Sequence, residues 1–378
     1  MTGALGRVPP PIGRRGGDGP RFRSGRVLAF LGLAFGLTWG LEPLIGATGR
    51  RAAYLEAGLH PIGMFVPAFA ALVLQAFVFR DSPLHVRTHR AATRWVVYGF
   101  FAVAILNAVV TALALATDLR GDVLRGVGGL IVTLWTLSLF PIYARAGADG
   151  FRRVGLQLGD TALGVRFVAG VALFLLAQAA LNALFGLGAF PGVRSDVGGV
   201  PVPSGWYAPA LLVFFAITVV GVPLSGLAAL FGEEYGWRGF LQGELTKLGP
   251  RRGVFLVGLI WGVWHVPVFF GGAHTYPGTA AGVALGVTFF VLAGFVFGYA
   301  AIKTGSVWVV AFMHGVLNAV HAFVVTYLVR PHDGLWSFGL GVYGLASLAL
   351  VVLWILRNPV WRGRRDRAGP SAMPPAAR

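Results

Sequence analysis

Three short segments in the second half of this 378-residue chain carry side chains able to do chemistry. The first is Glu233-Glu234-Tyr235-Gly236-Trp237-Arg238, at the end of an apolar run. Glu234 and Arg238 are four apart and share a helix face, whereas Glu233 points about 100° away at 3.6 residues per turn. Two carboxylates and one Arg can thus divide the labour, one held by the cation and the other left to act as a base. The second segment is Trp261-Gly262-Val263-Trp264-His265, and the third is His314-Gly315-Val316-Leu317-Asn318. His314 and Asn318, at i and i+4, present donors on one face, which suits binding of a developing oxyanion. Taken singly, each segment has a structural account: a charge cluster at a helix end, or a lone histidine serving as a hydrogen-bond donor. Two His, two Glu, an Arg and an Asn at one depth exceed what packing requires.

The elements that position these residues are membrane helices. Apolar residues make up 56% of the chain and charged residues 12%, with a mean hydropathy of +0.73, a profile that takes a bilayer as its solvent. Cysteine is absent, which excludes disulfide frameworks, thiolate metal sites and cysteine nucleophiles. Apolar stretches near the ~20 residues needed to cross a hydrocarbon core recur with short polar breaks. They predict ten helices, at 27–45, 59–79, 96–116, 127–144, 165–187, 209–230, 254–270, 280–302, 307–329 and 335–356. The sixth is expected to continue as one helix to Lys247. In lipid the backbone must satisfy its own polar groups, and runs of this length lack the alternation of barrel strands.

The net charge of +17 is distributed by loop. With the N-terminus inside, 25 of the 31 Lys and Arg fall on the cytoplasmic side and six, Arg50, Arg51, Arg120, Arg125, Arg194 and Arg330, on the other. This asymmetry predicts a multi-pass cell-membrane protein with both termini cytoplasmic, and it assigns the basic excess to topology and anionic lipid rather than nucleic acid. Residues 1–26 and 358–378, too poor in apolar residues to pack, are expected to be disordered basic cytoplasmic arms. The first helix is too long for a signal-peptide core and is read as an anchor. Small residues four apart, Gly32, Gly36 and Gly40, Gly282 with Gly286, and Gly294 with Gly298, are expected at close helix contacts. Polar groups of the first half, Glu42, Asn107, Asn182 and a few Gln, read as interhelical hydrogen bonds or interfacial positions.

An ionisable group inside a bilayer is costly and marks an interior or a water-filled cavity. Counted from Val254 and from Lys303, His265 and His314 both lie ~16 Å deep at 1.5 Å per residue, and Glu233 lies ~21 Å from Lys247 along its helix. The three segments can therefore meet.

The ordered set Glu-Glu-x-x-x-Arg, aromatic-x-x-x-His and His-x-x-x-Asn, each in or beside a membrane helix, resembles the CPBP family of intramembrane proteases. That family groups type II CAAX prenyl endopeptidases with bacteriocin-processing and immunity-associated proteins. The resemblance covers about a third of the chain and implies a protease core at 208–330 (helices six to nine), preceded by variable helices at 27–207 and followed by a last helix at 331–357. It implies hydrolysis of a peptide bond near the terminus of a membrane-associated or lipidated protein or peptide. Glu233 with His265 would polarise a water, His314 and Asn318 would bind the oxyanion, and Glu234 with Arg238 would order the first helix. Trp261 stands where the family commonly has Phe. Glu233, His265 and His314 could instead ligate a divalent metal such as zinc with a position open for water, although the HExxH helix of zincins is absent; no cofactor is otherwise implied. Two other classes stay open: a non-catalytic membrane scaffold or immunity protein of the same fold, and a proton- or metal-coupled transporter, for which paired interrupted helices in two halves would be expected.

Overall fold

The structure, a computed structural model, describes residues 22–50, 62–87, 91–117, 121–147, 151–270 and 279–362. Most of both expected terminal arms, residues 1–21 and 363–378, and the start of the second expected helix lie outside the described residues.

The architecture is that of an all-α membrane protein, with no closed sheet among the described residues. Helix α1 spans Ser24–Ala47, α2 Ile62–Val78, α3 Ala91–Ala116, α4 Gly121–Ala146 and α5 Thr161–Leu184. Helix α6 spans Tyr207–Ser225. Helix α7 begins at Leu227–Glu234, widens to a π-helical stretch over Tyr235–Leu241 and closes with Gln242–Leu245. Then come α8 (Pro250–Trp264), α9 (Val266–Phe270), α10 (Ala280–Thr304), α11 (Val307–Phe323, extended by Val324–Leu328) and α12 (Val342–Ile355). Among the described residues seven helices are long and apolar enough to cross a membrane, and Ile62–Val78 and Val342–Ile355 are apolar but shorter. Every expected stretch carries helix, while ten full crossings exceed what these lengths establish.

Two expected continuous helices are broken. The sixth does not run unbroken to Lys247: Pro223 sits inside α6, and Gly226 separates it from α7. Pro223 weakens the ladder in the turn before it without ending the helix, and the chain breaks three residues later at Gly226, the residue of lowest helix propensity after proline. The seventh ends at Trp264, and His265 caps it before α9, whose second residue is Pro267. Proline disfavours helical geometry in the residue before it and cannot donate into the ladder, which locates this break too.

Local sequence sets the remaining joints. Asp160, Thr279 and Ser306 cap α5, α10 and α11 by accepting from Leu163 N, Gly282 N and Val309 N at 2.9, 3.2 and 3.3 Å. Gly305, at φ 66°, supplies the left-handed residue that ends α10, so Gly305-Ser306 turns the chain directly into α11. Beta structure among the described residues is two short pairings. Gly188–Ala189 pairs antiparallel with Arg330–Pro331, and Asp196–Val197 pairs with Val200–Pro201 across Gly198-Gly199, both at positive φ.

Loops expected on one side of the membrane touch one another. At one end Arg23 and Arg26 both bind Asp81, Arg26 Nη1 lies 3.8 Å from Glu244 Oε1, and Arg251 Nη2 donates to Leu356 O at 3.1 Å. At the other, Arg50 Nη1 donates to Thr117 O at 2.5 Å, and His332 N donates to Leu187 O at 3.0 Å.

The core runs through the middle of the bundle, with Phe30, Phe65, Phe100, Phe231, Trp237, Trp261 and Phe297 buried at its centre. Glycine brings α8 and α10 together. A Cβ on Gly294 would lie 2.7 Å from the Cα of Gly258, and one on Gly258 would lie 2.9 Å from the Cα of Val291. Gly286 and Gly298 likewise face Phe269 and Val254. The expected face on α1 behaves otherwise: Gly32, Gly36 and Gly40 have nothing within 4 Å of an added Cβ. These three do not mediate a helix contact among the described residues.

Candidate active site

The broken helices converge on a cavity of about 410 Å³. Its wall includes Glu233 from α7, Trp261 and Trp264 from α8, His265 from the α8–α9 break, and His314 and Asn318 from α11. The remaining lining is mostly apolar and includes Leu41 and Ile45 of α1, Ile62 and Met64 of α2, and Phe289 and Phe290 of α10. All three segments singled out in the sequence therefore meet at one place.

The two glutamates have separate partners. Glu234, fully buried, takes Arg238 Nη1 at 3.1 Å on Oε1 and 2.9 Å on Oε2, and it also binds His314 Nδ1 at 2.9 Å. The i, i+4 spacing survives the π-helical stretch that begins right after Glu234. Arg238 lies over Trp261 at 4.1 Å and Phe297 at 5.2 Å from the ring centroids. Its Nε and Nη2 have no hydrogen-bond partner among the described residues, so the aromatic faces supply the rest of its stabilisation. A buried charge of this kind persists only with such compensation.

Glu233 is 3% exposed and reaches the cavity. Its Oε2 accepts the indole N–H of Trp261 at 2.8 Å. Phenylalanine, common at this place in the family that the sequence resembles, could not make that bond. The carboxylate is thereby oriented by a neutral donor and keeps one oxygen for other work.

The histidines differ in the same way. His265 Nδ1 lies 2.9 Å from the carbonyl of Trp261. A carbonyl only accepts, so Nδ1 carries the proton and Nε2 offers a lone pair in the neutral ring. The ring stacks on Phe290 at 3.9 Å with 15° between planes, which fixes its orientation. His314 instead faces a carboxylate through Nδ1. Nε2 can then donate as well when the ring is protonated, with Glu234 answering the charge. Asn318 is exposed towards the cavity and has no hydrogen-bond partner among the described residues.

Among the described residues no three or more His, Asp or Glu side chains are placed to hold a metal ion. Glu233, His265 and His314 share a cavity without forming the coordination group that a zinc site requires.

The first-half polar residues stand apart from this site. Gln75 Nε2 donates to Tyr235 Oη at 2.9 Å and so supports α7 from α2. Gln178 bridges α5 to α12, donating to Gly344 O at 3.1 Å and Ser347 Oγ at 2.5 Å. Asn107 departs from expectation, because its amide turns back on Val103 O of its own helix at 3.0 Å. Asn182 Nδ2 is buried without a partner among the described residues. The side chain of Glu42 lies outside the described residues.

Two contacts were not foreseen. Trp39 of α1 donates its indole N–H to Trp264 O at 3.2 Å, at the break beside His265. His321, one turn past Asn318, also lines the cavity. The spacing His314, Asn318, His321 was legible as one helix face, since i, i+4 and i+7 recur together.

Residues 208–320 match the family model described as type II CAAX prenyl endopeptidase Rce1-like. The match covers less than a third of the chain and likens that stretch to the CAAX-type intramembrane proteases. Comparison with curated proteins and with solved structures returns no match.

Proposed function

We propose that the protein is an intramembrane endopeptidase that hydrolyses a peptide bond near the terminus of a membrane-associated or lipidated protein or peptide. The observation that carries this reading is the unequal treatment of two adjacent glutamates. Glu234 is committed to Arg238 and His314, while Glu233 reaches the cavity and, among the described residues, takes its hydrogen bond from the indole of Trp261.

A water between Glu233 and the lone pair on His265 Nε2 gives up a proton to the carboxylate as its oxygen attacks the peptide carbonyl. The carbonyl π pair moves onto oxygen, and this oxyanion takes hydrogen bonds from protonated His314 Nε2–H and from the Asn318 amide. Donors fixed in an apolar cavity are worth more than the same donors in water and need no reorganisation as the charge appears. Collapse of the tetrahedral intermediate breaks the C–N bond, and the proton held by Glu233 passes to the leaving amine. Glu234, Arg238 and Trp261 touch no reacting atom and act by holding His314 and Glu233 in place. With the basic loops taken as the inner side, both termini are cytoplasmic.

The test is proteolysis by purified protein in liposomes, using quenched peptides with and without a C-terminal lipid. Wild type is expected to cleave a subset, and Glu233→Ala and His265→Ala to cleave none while remaining folded. Cleavage that persists in a chelator fits this route. Cleavage abolished by the chelator and restored by zinc would contradict the metal-free step, and equal activity of Glu233→Ala would contradict the site.

A further inference from the structure

The break that presents His265 also strands a backbone group, and a helix outside the matched stretch claims it. In an unbroken helix the carbonyl of Trp264 would accept from the N–H of Val268, four residues on. Here Val268 N donates to His265 O at 2.9 Å, and Phe269 N donates to the same oxygen at 3.2 Å. The carbonyl of Trp264 is left to Trp39 of α1, whose indole N–H reaches it at 3.2 Å across 225 positions of sequence. Backbone polar groups away from water are almost always paired, and this pairing fixes the peptide plane that joins Trp264 to His265. His265 has φ −80° and ψ −7°, so the direction of its ring follows from that plane. The ring has two holds of its own, the Trp261 carbonyl against Nδ1 at 2.9 Å and Phe290 stacked at 3.9 Å. Trp39 instead holds the backbone that carries the ring.

We propose that Trp39 is a positioning residue for His265: its N–H occupies the carbonyl stranded at the α8–α9 break and so keeps Nδ1 on Trp261 O and Nε2 towards the cavity. This deepens the proteolytic reading and rests on it, since it gives α1, outside residues 208–320, a share in orienting the histidine that polarises water. Without the bond, the Trp264 peptide can tilt to recover a donor from Val268 N, as a continuous helix would. That tilt carries His265 with it, draws Nδ1 away from Trp261 O, and removes the reason for one tautomer to dominate.

The experiment replaces Trp39 in the full chain, in liposomes for kinetics and in nanodiscs for nitrogen-15 NMR of the histidine rings. The His265 signals are assigned by their absence from His265→Ala. Trp39→Phe keeps an aromatic ring and removes the N–H. A tryptophan isostere with sulfur in place of the indole nitrogen, introduced at the same position, removes the N–H at constant shape and serves where phenylalanine fails to fold. Wild type is expected to hold His265 in the Nδ1–H form alone. Both replacements are expected to mix its tautomers and to lower kcat about tenfold at unchanged KM, as loss of one hydrogen bond gives. A lowered unfolding temperature would follow from any lost bond, whereas mixing at His265 with unchanged His314 signals follows from this one. His265 staying in the Nδ1–H form in the folded variants overturns the proposal whatever the rates do, and so does a kcat within twofold of wild type. Tautomer mixing in a protein that cleaves no peptide sustains the positioning role and sinks the proteolytic reading alone.

Discussion

The two walls of the cavity are built to opposite standards. On one side α8 and α10 meet through glycine, with Gly294 against Gly258 at backbone distance, and the polar residues of α7, α8 and α11 interlock through Glu234, Arg238, His314 and Trp261. On the other side α1 contributes Thr38, Leu41 and Ile45 to the lining, yet its glycine stripe touches nothing among the described residues. The same small-residue spacing is a packing seam in one helix and an unoccupied face in the other. The close wall carries the polar side chains, whereas α1 reaches the cavity through Thr38, Leu41 and Ile45 and is tied to the opposite wall by the Trp39 indole, which donates to Trp264 O at 3.2 Å.

The sharpest way to break this comparison is at the oxyanion end. His314→Ala should lower kcat by about 10²–10³-fold, the usual loss of one oxyanion donor, measured as initial rates of peptide cleavage in liposomes; a change under threefold would remove His314 from the reacting set. Next is the seam. Gly258→Val should cost about 1–3 kcal/mol or more through overpacking, whereas Gly36→Val on α1 should stay within about 0.5 kcal/mol. Thermal unfolding of the two variants in detergent reads the contrast, and equal losses would show that α1 is as tightly packed as α10. Trp261→Phe keeps the ring and removes the bond to Glu233. Loss of a buried hydrogen bond to a charged group, about 1.5–3 kcal/mol, predicts a lowered unfolding temperature together with a fall in kcat and little change in KM.

The smallest effect is expected at the membrane surface. Burial works to raise the Asp81 pKa, but the hydrogen bond from Arg23 and the charge of Arg26 outweigh it and leave the group below 3.8. A depressed folded value means that the stabilisation is present above pH 3.8 and is lost as pH falls through the folded pKa. At this exposure the pair is worth about 0.2–1 kcal/mol, so Asp81→Asn should shift the unfolding temperature slightly at neutral pH and not at all near pH 2.

Much of the site was legible because its spacing is helical. Glu234 with Arg238 and His314 with Asn318 could be read as shared faces, and depth alone brought His265 level with His314. Segment boundaries were harder. Both breaks fall inside long, mostly apolar runs, so length and composition read through Gly226 and His265, and Pro267 is the residue that marks the second break by geometry. The role of Trp261 was hidden for another reason, since an indole and a phenyl ring fill similar space and differ here by a single N–H. Glycine spacing misled on α1 because a stripe states what could approach and not what does.

The central claim is that Glu233 does chemistry and Glu234 holds the site together. The direct test is to measure both kcat/KM and the unfolding temperature for Glu233→Gln and Glu234→Gln in the same liposome assay. The account predicts that Glu233→Gln unfolds like wild type and cleaves at least about 10²-fold more slowly, as loss of a general base gives, while Glu234→Gln is markedly less stable. Glu233→Gln cleaving at the wild-type rate would contradict it.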